Sequence, residues 1–171
     1  MATETIVIDG KETKTLAQRL RPGLRAIIVG INPSPVSVLA GHYYQGQLGK
    51  RLWQCLLEHG ILKDLPNGME DDAAFDQGIG FIDVVRIPTA RAAELKREEL
   101  TAAIPGFIER LMPYCQDDPL ILFVFKTAED LVGPSLRSRG FRTRRLPAPY
   151  LEQGKIDAIM NDIKIELARR S

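Results

Sequence analysis

The six residues Gly30-Ile31-Asn32-Pro33-Ser34-Pro35 place one neutral amide among a glycine and two prolines, directly after an apolar run. An asparagine side chain donates and accepts hydrogen bonds without ionising, and proline fixes the backbone that carries it. That combination suits a residue that orients a water or a substrate rather than one that takes a proton. The plainer reading, an Asn-Pro turn that only redirects the chain, stands beside it. A little further on, Gly41-His42-Tyr43-Tyr44 puts three ring side chains in a glycine-flanked segment. Aromatic rings exposed in such a loop can stack on a planar ring such as a nucleobase, at ~1–3 kcal/mol per base. Alternatively Tyr43 and Tyr44 seal the end of a sheet and His42 is a surface histidine. Two cysteines, Cys55 and Cys115, are too few and too scattered for a zinc site, an iron–sulfur cluster or a disulfide framework, so no metal and no cofactor are expected.

The elements that would position these groups can be read from the hydrophobic pattern. Leu24 to Ile31 is an apolar run bounded by Pro22-Gly23 and Asn32-Pro33, which predicts a buried strand. Further strands are predicted over Ile79–Ile87, Leu120–Phe125 and Thr143–Leu146. Leu52, Trp53, Leu56 and Leu57 recur at helical spacing, with Gly60 where a left-handed cap would stand. Leu100 to Met112 traces a second helical face, with Pro105 in its first turn or at a kink. Thr127–Leu136 predicts a short helix weakened by Pro134, and Ile156 to Leu167 a closing amphipathic helix. Strands alternating with helices require a mainly parallel sheet with helices on both faces. Ligands of such folds bind beyond the carboxyl ends of the strands, which is where Asn32, Asp83, Lys126 and Pro147 fall.

The chain has 171 residues, 44% hydrophobic and 26% charged, enough for one core and one domain, with residues 1–20 as an N-terminal extension. No apolar run approaches a membrane span, and Glu4 and Asp9 stand where a signal peptide would be basic and then apolar. A soluble intracellular protein is expected. The net charge of +1 hides local asymmetry: Asp64 to Asp76 holds five acids and no base, and Arg137 to Arg145 five arginines and no acid. The acid cluster with Asn67-Gly68 reads as a surface loop. The arginines make one edge positive, or else the two clusters are solvated loops that cancel each other's field.

Pro22-Gly23-Leu24-Arg25 leading into Gly30-Ile31-Asn32-Pro33, followed by Gly41-His42-Tyr43-Tyr44 and Gly49-Lys50-Arg51-Leu52-Trp53, resembles the mismatch-specific uracil/thymine DNA glycosylases of the uracil-DNA glycosylase superfamily. Gly78-Ile79-Gly80-Phe81 with Thr89 is similar to that family's second block. The resemblance covers roughly residues 20 to 130 and implies a three-layer α/β/α sandwich around a short parallel sheet. It gives Asn32 the role of positioning the attacking water and Tyr44 that of stacking on the flipped base. Gly30, Ile31, Pro33, Ser37 and Tyr43 would then border the base. Asp83 falls where relatives carry an amide or a lysine. A carboxylate there either shifts the preferred base or orients a second water, and both readings stand.

The resemblance also implies a loop after the last strand that enters the minor groove. Here that loop reads Leu146-Pro147-Ala148-Pro149-Tyr150-Leu151, which keeps the proline but not the small polar residues. Pro147, Tyr150 and Leu151 would supply an apolar wedge. Lys50, Arg51, Lys126, Arg142, Arg144 and Arg145 would contact phosphates. The implied activity is hydrolysis of the N-glycosidic bond of uracil or a mispaired pyrimidine in double-stranded DNA, by a monomer that leaves the abasic site intact. The compartment would be cytoplasmic in a bacterium and nuclear in a eukaryote. Release of hypoxanthine or xanthine, or DNA binding without turnover, are the alternatives.

Overall fold

The computed structural model describes residues 3–169. Four strands form the central sheet: β3 (Ala26–Gly30), β4 (Ile79–Asp83), β5 (Leu120–Phe123) and β6 (Thr143–Arg145). They are all parallel, in the order β4-β3-β5-β6. β1 (Thr3–Ile8) and β2 (Lys11–Leu16) form a separate hairpin. The described residues also form six α-helices: α1 (Pro35–Ala40), α2 (Gln47–Glu58), α3 (Glu70–Asp76), α4 (Arg97–Leu111), α5 (Lys126–Ser138) and α6 (Gln153–Ala168).

The alternation of side chains along a strand explains the layering. Ala26 and Ile28 of β3 share one face with Phe81 and Leu122, and that face packs against Trp53 and Leu56 of α2 and Met160 and Ile163 of α6. Ile27 and Val29 share the other face with Ile82, Ile121 and Phe123, covered by Phe107 and Leu111 of α4 and Ala128, Val132 and Leu136 of α5. Both faces being covered, β3, β4 and β5 are buried along their whole length. This is the expected three-layer α/β/α sandwich, with strands somewhat shorter than the apolar runs that announced them. No helix among the described residues is long and apolar enough to cross a membrane.

Three features differ from the expectations. The N-terminal segment is a hairpin turned at Asp9-Gly10, both at positive φ (49° and 77°), the backbone that two-residue hairpins need. It is built into the domain: the Thr15 hydroxyl donates to the Arg86 carbonyl at 2.7 Å, Glu4 pairs with Arg86, and Arg19 makes a two-bond antiparallel bridge to Phe81 of β4. The acid cluster is not a loop, because Glu70, Asp71 and Asp72 form the first turn of α3, where carboxylates complement the unpaired N–H groups of a helix start. Pro35 opens α1 at a position that needs no N–H, with the Ser34 hydroxyl accepting from the Ser37 amide at 3.2 Å. Pro105 and Pro134 lie inside α4 and α5, which continue through them because packing on the sheet outweighs the lost bond.

One tie between helices is sensitive to pH. At the end of α2, His59 presents Nδ1 to the Cys55 carbonyl at 2.8 Å and Nε2 to Asp157 of α6 at 2.9 Å. Both ring nitrogens face acceptors, so the doubly protonated imidazolium is favoured and the pKa is raised above 6.5, first by the Asp157 hydrogen bond. A raised histidine pKa contributes stability that is complete below the unfolded value and fades as pH climbs through the folded one. The melting-temperature difference between wild type and His59→Asn should therefore be largest near pH 6 and shrink towards pH ~8.5. Thermal unfolding followed by circular dichroism across that range checks it; a pH-independent difference would exclude the charged pair.

Candidate active site

The site forms where β3 and β4 end side by side. Gly30 is in register with Asp83, and the pairing runs on past the strands through Val84 N–H to Gly30 C=O (3.0 Å) and Val85 N–H to Ile31 C=O (2.8 Å). The next residue is Asn32. Its Nδ2 donates to the Ile87 carbonyl and to Thr89 Oγ1, both at 2.7 Å, while the Thr89 amide donates back to the Pro33 carbonyl at 3.2 Å. With both N–H groups committed, the remaining valence of the amide is the acceptor Oδ1, held at a fixed angle. Thr89 in turn is anchored through its hydroxyl to the Arg91 carbonyl at 2.8 Å.

Tyr44 comes from the loop between α1 and α2 and is held in the left-handed region at φ 56°, which costs a non-glycine residue about 1–2 kcal/mol. The surroundings enforce it. Its carbonyl accepts from Trp53 Nε1 at 3.2 Å and lies against Gly49, where any Cβ would collide with the Tyr44 backbone. On one side of Tyr44 the Asp71 carboxylate accepts the Tyr43 amide at 3.0 Å. On the other the Ser37 hydroxyl accepts the Gln45 amide at 3.2 Å, and Gln45 Nε2 donates to Glu70 at 3.0 Å. The acids of α3 thus brace the loop that carries Tyr44. The ring meets Trp53 and Phe81 edge-on, at 6.0 and 6.2 Å between centroids.

The Tyr44 hydroxyl is buried and has no hydrogen-bond partner among the described residues. It lies 2.9 Å from where a Cβ on Gly30 would stand, and that same Cβ would strike the Asp83 carboxylate. Only glycine allows the three groups to meet. Burial pushes the Asp83 carboxyl up to about 7, against the opposing pull of Arg110. Burial, and then Asp83, also hold the Tyr44 phenol well above its usual range. Asp83 therefore titrates near neutrality, beside a phenol that stays protonated.

Several residues proposed from the sequence take other roles. Tyr43 is only 2% exposed, stacked on Phe81 at 5.3 Å with its hydroxyl on the Ala17 carbonyl, so its ring belongs to the core and not to a ligand face. Ser37 is a brace, its hydroxyl occupied by Gln45 and Ser34. The carbonyls of Gly30 and Ile31 are taken by Val84 and Val85, and the Ile31 side chain is buried. His42 is not a surface histidine, because Nδ1 meets buried Asp71 at 2.7 Å. His42, Asp71 and Asp72 bring metal-type ligand atoms together, but Asp72 pairs with Arg19 and Asp71 with backbone, which makes them a brace as well.

The arginines are compensated by acids distant in sequence. Arg142 precedes β6, at the amino end of the sheet and away from Asn32, and it pairs with Asp118 and Glu166. Arg144 also pairs with Glu166, and Arg145 with Glu129. Lys50 and Arg51 are exposed on α2, and Lys126, which opens α5, pairs with Asp130. Arg110 was not anticipated. It donates to the carbonyls of Asp83 (2.9 Å) and Val84 (3.2 Å) and to Gln18 Oε1 (3.1 Å), fixing the end of β4. A base three residues after Phe107 and one before Leu111, on an otherwise apolar face, was the available signal.

The three-layer fold agrees with what comparisons with known proteins show. Residues 17–161 match the family model described as the uracil DNA glycosylase superfamily, and the chain belongs to that superfamily. Its fold is similar to the solution NMR structure of a candidate uracil DNA glycosylase from Methanosarcina acetivorans, with a TM-score of 0.51 at 19% identity over 84% of this chain and 94% of that one.

The geometry at Gly30 makes two substitutions informative. Gly30→Ala should abolish any activity of the site and lower the melting temperature, since Asp83 and Tyr44 must both move. Tyr44→Phe removes a buried hydroxyl whose lack of a partner costs about 1–3 kcal/mol, so that variant should be at least as stable as wild type. Differential scanning calorimetry of both variants checks the pair; a destabilised Tyr44→Phe would mean that the hydroxyl has a partner in the folded protein.

Proposed function

We propose that this chain is a monofunctional DNA glycosylase, acting as a monomer inside the cell, that hydrolyses the N-glycosidic bond of an extruded uracil or mispaired pyrimidine. The observation that carries the proposal is the double anchoring of Asn32 Nδ2, which presents Oδ1 as a fixed acceptor at the strand end. Oδ1 accepts a hydrogen bond from a water and aims its lone pair at C1′. An amide does not remove the proton, so the water attacks a sugar that has already gained oxocarbenium character as the base departs. The nucleotide must leave its base stack to reach this site, at least cost where the base is mispaired, damaged or already unpaired. Tyr44 supplies the ring on which the base rests.

Asp83 reads the edge of the base. Ionised, its carboxylate accepts an N–H from the base. Uracil and thymine carry N–H next to C=O, and so do hypoxanthine and xanthine. That shared edge is the specific reason to keep deaminated purines as a second reading. Lys50, Arg51, Lys126 and Arg145 are proposed as phosphate contacts, with Pro147, Tyr150 and Leu151 at the DNA surface. Arg142 and Arg144 are assigned instead to tying α6 to β6 through Glu166.

A labelled duplex series carrying uracil, thymine, hypoxanthine or xanthine opposite guanine, treated with protein and then alkali, tests the activity and names the base. Asn32→Ala should lower base release at least ~tenfold while duplex affinity stays near wild type; a loss of binding equal to the loss of rate would remove the water-positioning role. Because the ionised Asp83 is the stronger acceptor and carries no competing O–H donor, excision should rise with pH through about 7. Asp83→Asn should abolish that inflection, and rates measured from pH ~5.5 to 8.5 check it. A protein that binds duplex but releases no base would instead be a recognition module with this pocket.

A further inference from the structure

Next to the site just described, the carboxyl ends of β5 and β6 open into a groove of about 650 Å³ between α2, α6 and the segment 146–151. Its floor and walls are apolar, with Leu52 from α2, Leu146 after β6, and Ile156 and Ile159 from α6. Two aromatic side chains stand at its lip: Phe125, which follows β5, and Tyr150, which is 86% exposed. Tyr150 owes its position to a tight turn. The Leu151 amide donates to the Ala148 carbonyl at 3.2 Å, Pro149 fills the second position where its fixed φ is suited, and Tyr150 is carried at the tip. Leu151 folds back to line the groove, so the segment forms a wall with one ring on top of it.

Three cations line the groove, and two of them, Lys126 and Arg145, are paired with Asp130 and Glu129 just outside it. The third is Arg51, and the one acid in the lining is Glu58, which accepts from Gln54 at 2.7 Å. Arg51 has no carboxylate partner among the described residues. The groove and the candidate active site lie at the ends of neighbouring strands. β3 and β5 are neighbours, and the Val124 amide donates to the Val29 carbonyl at 3.2 Å, so Asn32 and Phe125 leave the sheet from adjacent strands. This is the point where the strand order reverses, β4 lying on one side of β3 and β5 on the other.

We infer that this groove seats a base adjacent to the extruded nucleotide, and that the DNA it takes is single-stranded around the target. The inference rests on the glycosylase reading above and adds the form of the substrate. An apolar slot with aromatic rings at the lip and cations at the rim is the combination that holds unpaired nucleic acid, with bases stacked on rings and phosphates on the basic groups. In a duplex the neighbouring base is paired and stacked on both faces, so entering the groove would require breaking that pair. A single strand offers that base with no pair to break. Tyr150 at the tip then stacks on a free base, in place of wedging into a base-pair step.

The test compares one uracil-containing oligonucleotide as a single strand and as a duplex with guanine opposite uracil, for wild type, Tyr150→Ala and Phe125→Ala. Versions with a tetrahydrofuran spacer, which lacks a base, on the 5′ or the 3′ side of uracil locate the seated neighbour. In wild type the single strand should be cleaved with at least ~fivefold higher kcat/KM, and a spacer on one side only should lower it about tenfold. Tyr150→Ala should lose the response to that spacer. By fluorescence anisotropy, the same variant should bind an undamaged single-stranded 12-mer about tenfold more weakly than wild type. Duplex-preferring cleavage that Tyr150→Ala abolishes on duplex alone would overturn the inference in favour of a wedge, and so would unchanged single-strand affinity. Absence of cleavage on every substrate would sink the glycosylase reading, while the anisotropy comparison still decides the groove.

Discussion

Taking a carboxylate out of water costs several kcal/mol unless protein groups replace the lost hydration, and this fold treats two buried aspartates in opposite ways. Asp71 is fully buried but satisfied, with one oxygen on His42 and the other on the Tyr43 amide. Its burial is structural: it locks the loop from which Tyr44 projects. Asp83 is also buried but receives no hydrogen bond on its carboxyl from the described residues, and its pKa moves up to about 7 instead. A group left in that condition weakens the fold, and such groups concentrate where a ligand supplies the missing partner. The left-handed Tyr44 and its unpartnered hydroxyl are further costs at the same spot, set by Gly30 and Gly49 at the two closest approaches.

The anchoring of Asn32 shows how little of a catalytic arrangement lies in the residue itself. Its amide is fixed by Ile87 and Thr89, more than fifty positions later in the chain, and Thr89 is fixed by Arg91. The segment after β4 is thus as much a part of the site as the glycine–asparagine–proline run. Arg110, reaching from α4 to the last carbonyls of β4, completes the frame and lowers the energy of an ionised Asp83.

The strands were legible because burial on both faces forces continuous apolar runs, and Leu120–Phe123 could be read as little else. Asn32 and Tyr44 were legible by residue type and by position after a strand. What local sequence could not show was pairing across the chain. Five arginines without an acid nearby read as a positive edge, yet Asp118, Glu129 and Glu166 meet four of them, Arg137, Arg142, Arg144 and Arg145. Five acids without a base read as a solvated loop, yet Asp71 is interior. Tyr43 and Tyr44 are adjacent and chemically identical, and only the φ of 56° at Tyr44 sends one ring into the core and the other to the strand ends. The hairpin at Asp9-Gly10 carried a recognisable turn signal, but its alternation is diluted by three exposed charged residues, Lys11, Glu12 and Lys14.

The bridge from Arg19 to Phe81 bears on how the molecule behaves when concentrated. A four-stranded sheet has two outer edges, and each exposed edge is a template on which another chain can add a strand. Here the outer edge of β4 is already occupied by Arg19 at its centre, through both the N–H and the C=O of Phe81. The opposite edge, β6, is three residues long and two of them are arginines held by carboxylates on α5 and α6. Neither side leaves a length of free, flat backbone on which another chain could add a strand: the N-terminal segment occupies the β4 edge, and brevity and paired arginines blunt the β6 edge.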